Sequence, residues 1–191
     1  YEINIGDWSS DVCSSDLTSF VLDQLKKFNA KASFFCIGKN VAQHSDIFNK
    51  IISEGHTVGN HTMHHANGWK TDDEKYIKEI NDAKNFIHSN LFRPPYGRIK
   101  HAQIKKITSA PYNYQLIMWS VLSGDFDTAI DGNKCFKNVI KNIRPGSIIV
   151  LHDSAKALPR LRIALPLILE WLKQNQYKAK PLSNWERGLN H

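Results

Sequence analysis

Cysteine, long apolar runs and clustered basic residues are what this chain has little of, and each shortage closes off a class of protein. Only three cysteines occur in 191 residues. No two of them share a metal-binding spacing, so a cysteine-built zinc site is excluded. Cys36 lies in an apolar run and Cys135 in a helical pattern, so buried thiols are expected at both. No stretch approaches the roughly 18 consecutive apolar residues of a membrane span. No signal peptide is visible, which carries little weight given the unusual front of the chain. Repeats, linkers and low-complexity blocks are absent beyond that front. Apolar residues make up 41% of the chain and charged residues 23%. That is the balance of one ordinary globular domain, long enough to bury a substantial core.

Acidic residues are the minority. Lys and Arg number 25 against 18 Asp and Glu, a net charge of +7. Residues 1–17 hold four acids and no base, so without them the balance is 25 to 14, or +11. A basic surface favours anionic partners such as cell-wall polymer, membrane surface or nucleic acid. A solubilising charge is the stronger reading, because Lys and Arg are spread along the chain. No basic block interleaved with aromatics occurs, so nucleic acid is not an expected partner.

The front segment does not read as evolved protein. Residues 7–17 show neither strand alternation nor a helical apolar stripe. One choice of codons for them reproduces a widely used sequencing-library adapter, and Tyr1-Glu2-Ile3 fits that adapter's other constant part. Residues 1–17 are therefore expected to be translated adapter, to be left out of fold reasoning. The domain proper is expected over 18–182, with a loose polar tail at 183–191.

From residue 18 onward, helical and strand patterns alternate, which predicts an α/β fold with largely parallel strands. Thr18 can cap a helix through Lys27, with Val21, Leu22, Leu25 and Phe28 on one face. Strands are predicted at 32–37, 57–60, 91–92, 116–121 and 147–151, with a last edge strand at 177–182. Helices are predicted at 41–53, 71–88, 99–109, 131–142 and 158–174. The last holds Pro159 in its first turn and Pro166 as a kink.

Histidines carry the strongest positive signal. His61-Thr62-Met63-His64-His65 places three imidazoles in five residues. One helical turn would set His61 and His65 on the same side and point His64 elsewhere. Neutral imidazole is the commonest protein ligand of zinc-like metals, so the pair makes half a metal site. Taken alone, a polar His-rich loop is an even competitor. Three further segments add context. Arg93-Pro94-Pro95-Tyr96-Gly97 follows, readable by itself as a rigid surface turn. Trp119-Ser120-Val121-Leu122-Ser123-Gly124-Asp125-Phe126 ends an apolar run. Ile148-Ile149-Val150-Leu151-His152-Asp153 is a buried-strand pattern closed by a titratable pair. In this order and at these spacings the chain resembles the polysaccharide deacetylase family, carbohydrate esterase family four, over residues 18–180.

The resemblance implies a distorted (β/α) barrel with fewer than eight strands and a metal-dependent deacetylase. His61 and His65 match the family's two histidine ligands of a divalent metal, with zinc first and manganese or cobalt as alternatives. His152 matches its general acid, able to protonate a departing amine. A strand-end His bonded to backbone is the competing reading. Asp125 corresponds to an acidic residue that either pairs with Arg93 or orients His152. Arg93 resembles the arginine that holds the catalytic base. The backbone N–H of Tyr96 is the implied oxyanion donor. Val150 stands where the family usually has leucine against the acetyl methyl. Trp119 either walls the substrate groove or sits in the core.

Two departures accompany the match. The family often has a second acid where this chain has Leu122. Its first motif, Thr-Phe-Asp-Asp-Gly, closes the first strand and supplies the base and a third metal ligand. Asp7, Asp11 and Asp16 do not sit in that pattern. A missing first strand and an open sheet edge are therefore expected. The expected activity is removal of N-acetyl groups from an acetylated polysaccharide or oligosaccharide of the peptidoglycan or chitin type. Such a polymer favours the cell envelope or a secreted protein. An O-acetyl esterase of the xylan type is the alternative among enzymes. A non-catalytic sugar-binding domain is the alternative outside them, should the loss of the Asp-Asp pair be native.

Overall fold

A computed structural model describes residues 1–8 and 15–182; the expected tail at 183–191 lies outside the described residues. Strands are β1 (Glu2–Trp8), β2 (Ser33–Cys36), β3 (Thr57–Asn60), β4 (Leu91–Phe92), β5 (Gln115–Leu116), β6 (Val121–Leu122), β7 (Ile148–Leu151) and β8 (Lys178–Lys180). Helices are α1 (Ser15–Lys27), α2 (Gly38–Gln43), α3 (Ser45–Ser53), α4 (Asp73–Lys84), α5 (His101–Thr108), α6 (Gly132–Asn142) and α7 (Leu158–Gln174). Among the described residues the strands form two four-stranded sheets, ordered β6-β7-β1-β8 and β2-β3-β4-β5. Every pairing in them is parallel. Strand β1 also runs against β2, and the chain crosses between the sheets again from β5 to β6. This is the expected α/β layout with parallel strands.

Strands covered by helices on both faces read as continuous apolar runs. Phe34 and Phe35 of β2 are adjacent and both fully buried, and Ile149, Val150 and Leu151 are buried in succession along β7. Helix α7 buries Leu161, Leu165, Ile168, Leu169 and Leu172 and packs against α6 and α1. It runs through Pro166 as one helix. Helices α4 and α6 are capped by carboxylates: Asp72 accepts the Lys75 N–H at 3.0 Å and Asp131 the Lys134 N–H at 2.7 Å; Thr18, expected as a cap, lies inside α1, which begins at Ser15.

Three expectations are corrected. The first strand is present rather than missing. Glu2–Trp8 lies between β7 and β8, with Asn4 opposite Ile148 and Glu2 opposite Lys178. The Asn4 N–H donates to Ser147 O at 2.9 Å and the Lys178 N–H to Tyr1 O at 2.7 Å, while Ile3 is fully buried. Ladder bonds use only N–H and C=O, so one well-placed apolar residue is enough to seat this strand. The sheet edge therefore falls at β8. Second, the predicted strand at 116–121 is two short strands in different sheets. The Ile117 N–H still donates to Phe92 O at 2.8 Å, whereas the Ser120 N–H donates to Ile148 O at 3.1 Å. The chain changes partners between those residues, which apolar patterning does not reveal. Third, the predicted helix at 41–53 is broken at His44, whose backbone (φ −134°, ψ 54°) is not helical.

Candidate active site

The chain leaves β3 at Asn60 and enters the histidine segment as a loop, not as the helical turn expected from spacing. Thr62 and His65 adopt φ of 66° and 59°, a left-handed conformation that costs a side-chain-bearing residue. Asn60 holds this bend. Its Oδ1 accepts the Thr62 N–H at 2.9 Å, and its Nδ2 donates to Ile80 O at 2.9 Å and to the Tyr114 hydroxyl at 3.2 Å. The bend still brings His61 and His65 together, with ring centroids 5.0 Å apart and planes at 50°. His64 turns away, its backbone N–H and Nδ1 engaging the Glu79 carboxylate at 2.8 and 2.9 Å.

His61 is buried, with Nδ1 2.7 Å from Arg93 O. A carbonyl can only accept, so Nδ1 carries the proton and Nε2 the lone pair. His65 Nδ1 lies 3.2 Å from the Tyr96 hydroxyl, and the two rings are 4.6 Å apart between centroids. Two imidazoles so presented suit a divalent metal as nitrogen donors. Among the described residues no third His, Cys, Asp or Glu joins them. Of residues 7–17, which stand in place of the family's first motif, 9–14 lie outside the described residues.

Arg93 follows β4 and is fully buried. Its Nε donates to Ile117 O at 3.1 Å, one terminal nitrogen donates to Met118 O at 3.2 Å, and the guanidinium lies 4.2 Å above the Phe35 ring centroid. Arg93 thus ties β4 to the crossing between the sheets while its own carbonyl orients His61. Pro94 leads into a 3₁₀ turn, Pro95–Gly97, where Tyr96 and Gly97 have φ of 60° and 65°. A Cβ at Gly97 would sit 2.5 Å from Trp119 Cη2. Only glycine lets that indole lie against the turn, and Trp119 is half-buried there.

The other arm is built at the end of β7. Asp125 is fully buried. Its Oδ2 accepts the His152 N–H at 2.6 Å, and its Oδ1 lies 2.7 Å from His152 Nδ1. Of the two roles left open for Asp125, its carboxylate takes the orientation of His152. A carboxylate accepting the Nδ1–H leaves Nε2 as the reactive nitrogen. Arg160 Nε donates to Asp125 O at 2.6 Å and so fixes the loop that carries the acid. Asp153 faces the opposite way and accepts the Thr18 hydroxyl at 2.9 Å, linking β7 to α1.

Both arms open on one groove of about 750 Å³, lined among others by His65, Tyr96, Trp119, Val150 and His152. Phe126 and Leu122 line it too, and Phe126 meets the His152 ring edge-on at 5.4 Å. Sequence reasoning assigned neither of them a role, nor Asn60 or Arg160. Arg160 had a signal: a cation among the apolar positions of α7.

The chain matches the family model described as polysaccharide deacetylase over residues 9–115. It is 36% identical over 172 residues to a peptidoglycan-N-acetylglucosamine deacetylase of Bacillus cereus, an alignment covering 87% of this chain and 80% of that relative. Its fold superposes with a TM-score of 0.85 on a peptidoglycan N-acetylglucosamine deacetylase solved with 4-naphthalen-1-yl-N-oxidanyl-benzamide, at 30% identity and covering 95% of this chain and 86% of that one. A CE4 family pseudoenzyme from Bacillus anthracis shares the fold at 21% identity, with a TM-score of 0.78 and coverage of 95% and 62%. This chain belongs to the polysaccharide deacetylase family.

Proposed function

We propose that the chain is a metal-dependent hydrolase that removes N-acetyl groups from an aminosugar polymer, with peptidoglycan glycan ahead of chitin. One observation carries the reading. A single groove is lined by His65 from the imidazole pair and by His152 from the carboxylate-held arm. The B. cereus relative, 36% identical, is named for the same chemistry on peptidoglycan.

His61 and His65 would hold the metal through ring nitrogens, with zinc the first choice for such donors. Such a metal, when bound, polarises the amide carbonyl and acidifies water. His152 in its charged form gives the Nε2 proton to the departing amine, and Asp125 stabilises the ring through Nδ1–H. The Tyr96 N–H donates to the developing oxyanion. Val150 receives the acetyl methyl. Being one methylene smaller than leucine, it gives up about 1 kcal/mol or less of contact. A polymer of this kind places the protein's work at the cell envelope.

A sugar-binding reading has one observation behind it: Asp7, Asp11 and Asp16 do not sit in the family's Asp-Asp pattern. Acetate release from glycan strands and from N-acetylglucosamine oligomers, with and without chelator, separates the two. The same assay is run on a chain whose β1 is replaced by a strand ending in Thr-Phe-Asp-Asp-Gly ahead of α1. Chelator-sensitive release is expected, stronger in the grafted chain. If the graft folds and binds metal yet frees no acetate from amide or ester substrates, the hydrolase reading fails. Faster release from acetylated xylan than from any amide would turn the reading to an esterase.

A further inference from the structure

We infer that the groove selects an aminosugar polymer bearing carboxylates along its length over a neutral one, through Lys70, Arg98 and Lys156. This rests on the deacetylase reading for the reaction it serves. All three cations line the groove that His65 and His152 share, and among the described residues no Asp or Glu lines it. The acids nearby are already engaged. Asp72 caps α4, and Asp73 accepts from Gln103 Nε2 at 2.9 Å and Lys100 Nζ at 3.3 Å. Glu79 is held by His64, Asp125 by His152, and Asp127 accepts the Ala129 N–H at 2.9 Å. Among the described residues none of the three cations takes part in an ion pair.

Their placement suits a polyanion. Lys70 and Arg98 belong to the segments that carry His65 and Tyr96, and Lys156 follows His152, so positive charge accompanies both arms. The Arg98 guanidinium lies 5.2 Å from the Trp69 ring centroid. Trp69 is 60% exposed and anchored by its Nε1–H to Ile99 O at 3.2 Å. A guanidinium stacked in this way is a pre-oriented fork for a carboxylate. Leu122, 41% exposed within the groove, adds apolar surface and no opposing charge. Like charges along a cleft focus their potential into it. A neutral sugar chain gains nothing from that field. A glycan with lactyl or peptide carboxylates beside the acetylated unit does.

The test compares three polymers on the intact chain: a glycan strand with free carboxylates, the same strand with its carboxylates amidated, and neutral N-acetylglucosamine oligomers. The acidic strand should have the highest kcat/KM, with the advantage in KM and shrinking as salt is added. In Lys70→Gln/Arg98→Gln/Lys156→Gln the acidic-to-amidated ratio should fall about tenfold, each exposed pair contributing a factor of about two to three. Equal kcat/KM for the acidic and amidated strands, or an unchanged ratio in the triple variant, overturns the inference. Sedimentation of protein with each strand reads binding without turnover. If the intact chain frees no acetate from any strand, the comparison is made by binding alone. An acid-strand preference in binding that disappears in the triple variant would still uphold the charge selection, and equal binding to both strands would end it.

Discussion

The two arms hold their histidines by different means. His61 donates its Nδ1–H to a neutral carbonyl, that of Arg93, at 2.7 Å. His152 donates its Nδ1–H to the buried carboxylate of Asp125 at the same distance. A carbonyl partner fixes the tautomer without adding charge, which suits a ring that must offer a lone pair. A carboxylate partner fixes the tautomer and also stabilises the ring when it gains a proton, which suits an acid. In the proposed reaction one residue type thus serves two roles, and the group behind each ring decides which.

The hardest strike on this contrast is His61→Ala, which should abolish metal binding as measured by metal analysis of the purified protein. Unchanged metal stoichiometry would break the ligand assignment. His152→Asn should lower kcat by about 10²- to 10⁴-fold, the usual share of a general acid, with metal content kept. Asp125→Asn should cost about 10- to 100-fold through the same ring. Loss of metal in either variant would merge the two arms into one.

Acid should loosen the arm of the imidazole pair. His56 begins the turn into β3 and its Nδ1 accepts the Ala32 N–H at 3.1 Å, joining β2 to β3. Burial, with the Lys31 charge adding, pushes its pKa down from 6.5 to about 4. The unfolded chain therefore takes up this proton first. Stability present above pH 6.5 is lost as pH falls toward 4, on the order of 3 kcal/mol in all. The drop in Tm from neutral to acid pH should be shallower in His56→Gln. Gly97→Ala should cost more than about 1 kcal/mol, because it combines a positive φ with the Trp119 contact. Val150→Leu should act least, changing KM for the acetylated substrate by a small factor, worth about 1 kcal/mol or less. A larger effect would mean that Val150 does more than floor the pocket.

Much of the fold was legible. The strand at Thr57–Asn60 and the helix at Leu158–Gln174 stand where periodicity placed them. The misses share a cause. Strand β1 is seated by backbone bonds to Ser147 and β8, which leave no side-chain pattern. The strands β5 and β6 look like one apolar run because the crossing between them, Ile117-Met118-Trp119, is itself apolar, although they belong to different sheets. In the site, residue types and spacing pointed to His61 and His65, and the family resemblance to Asp125 and His152. The left-handed bends at Thr62 and His65 were not readable, since residues other than glycine rarely advertise positive φ. Phe126 and Lys156 also escaped notice, because only the groove shows what they face.

By itself the sequence determined the alternation of elements and the kinds of chemical groups at the strand ends, because periodicity and motif spacing are local properties. Only the tertiary structure decided what each histidine can do. The atoms that set the two rings, Arg93 O and the Asp125 carboxylate, lie 32 and 27 residues away along the chain. A hydrogen bond across that distance exists only once the sheets have brought its ends together.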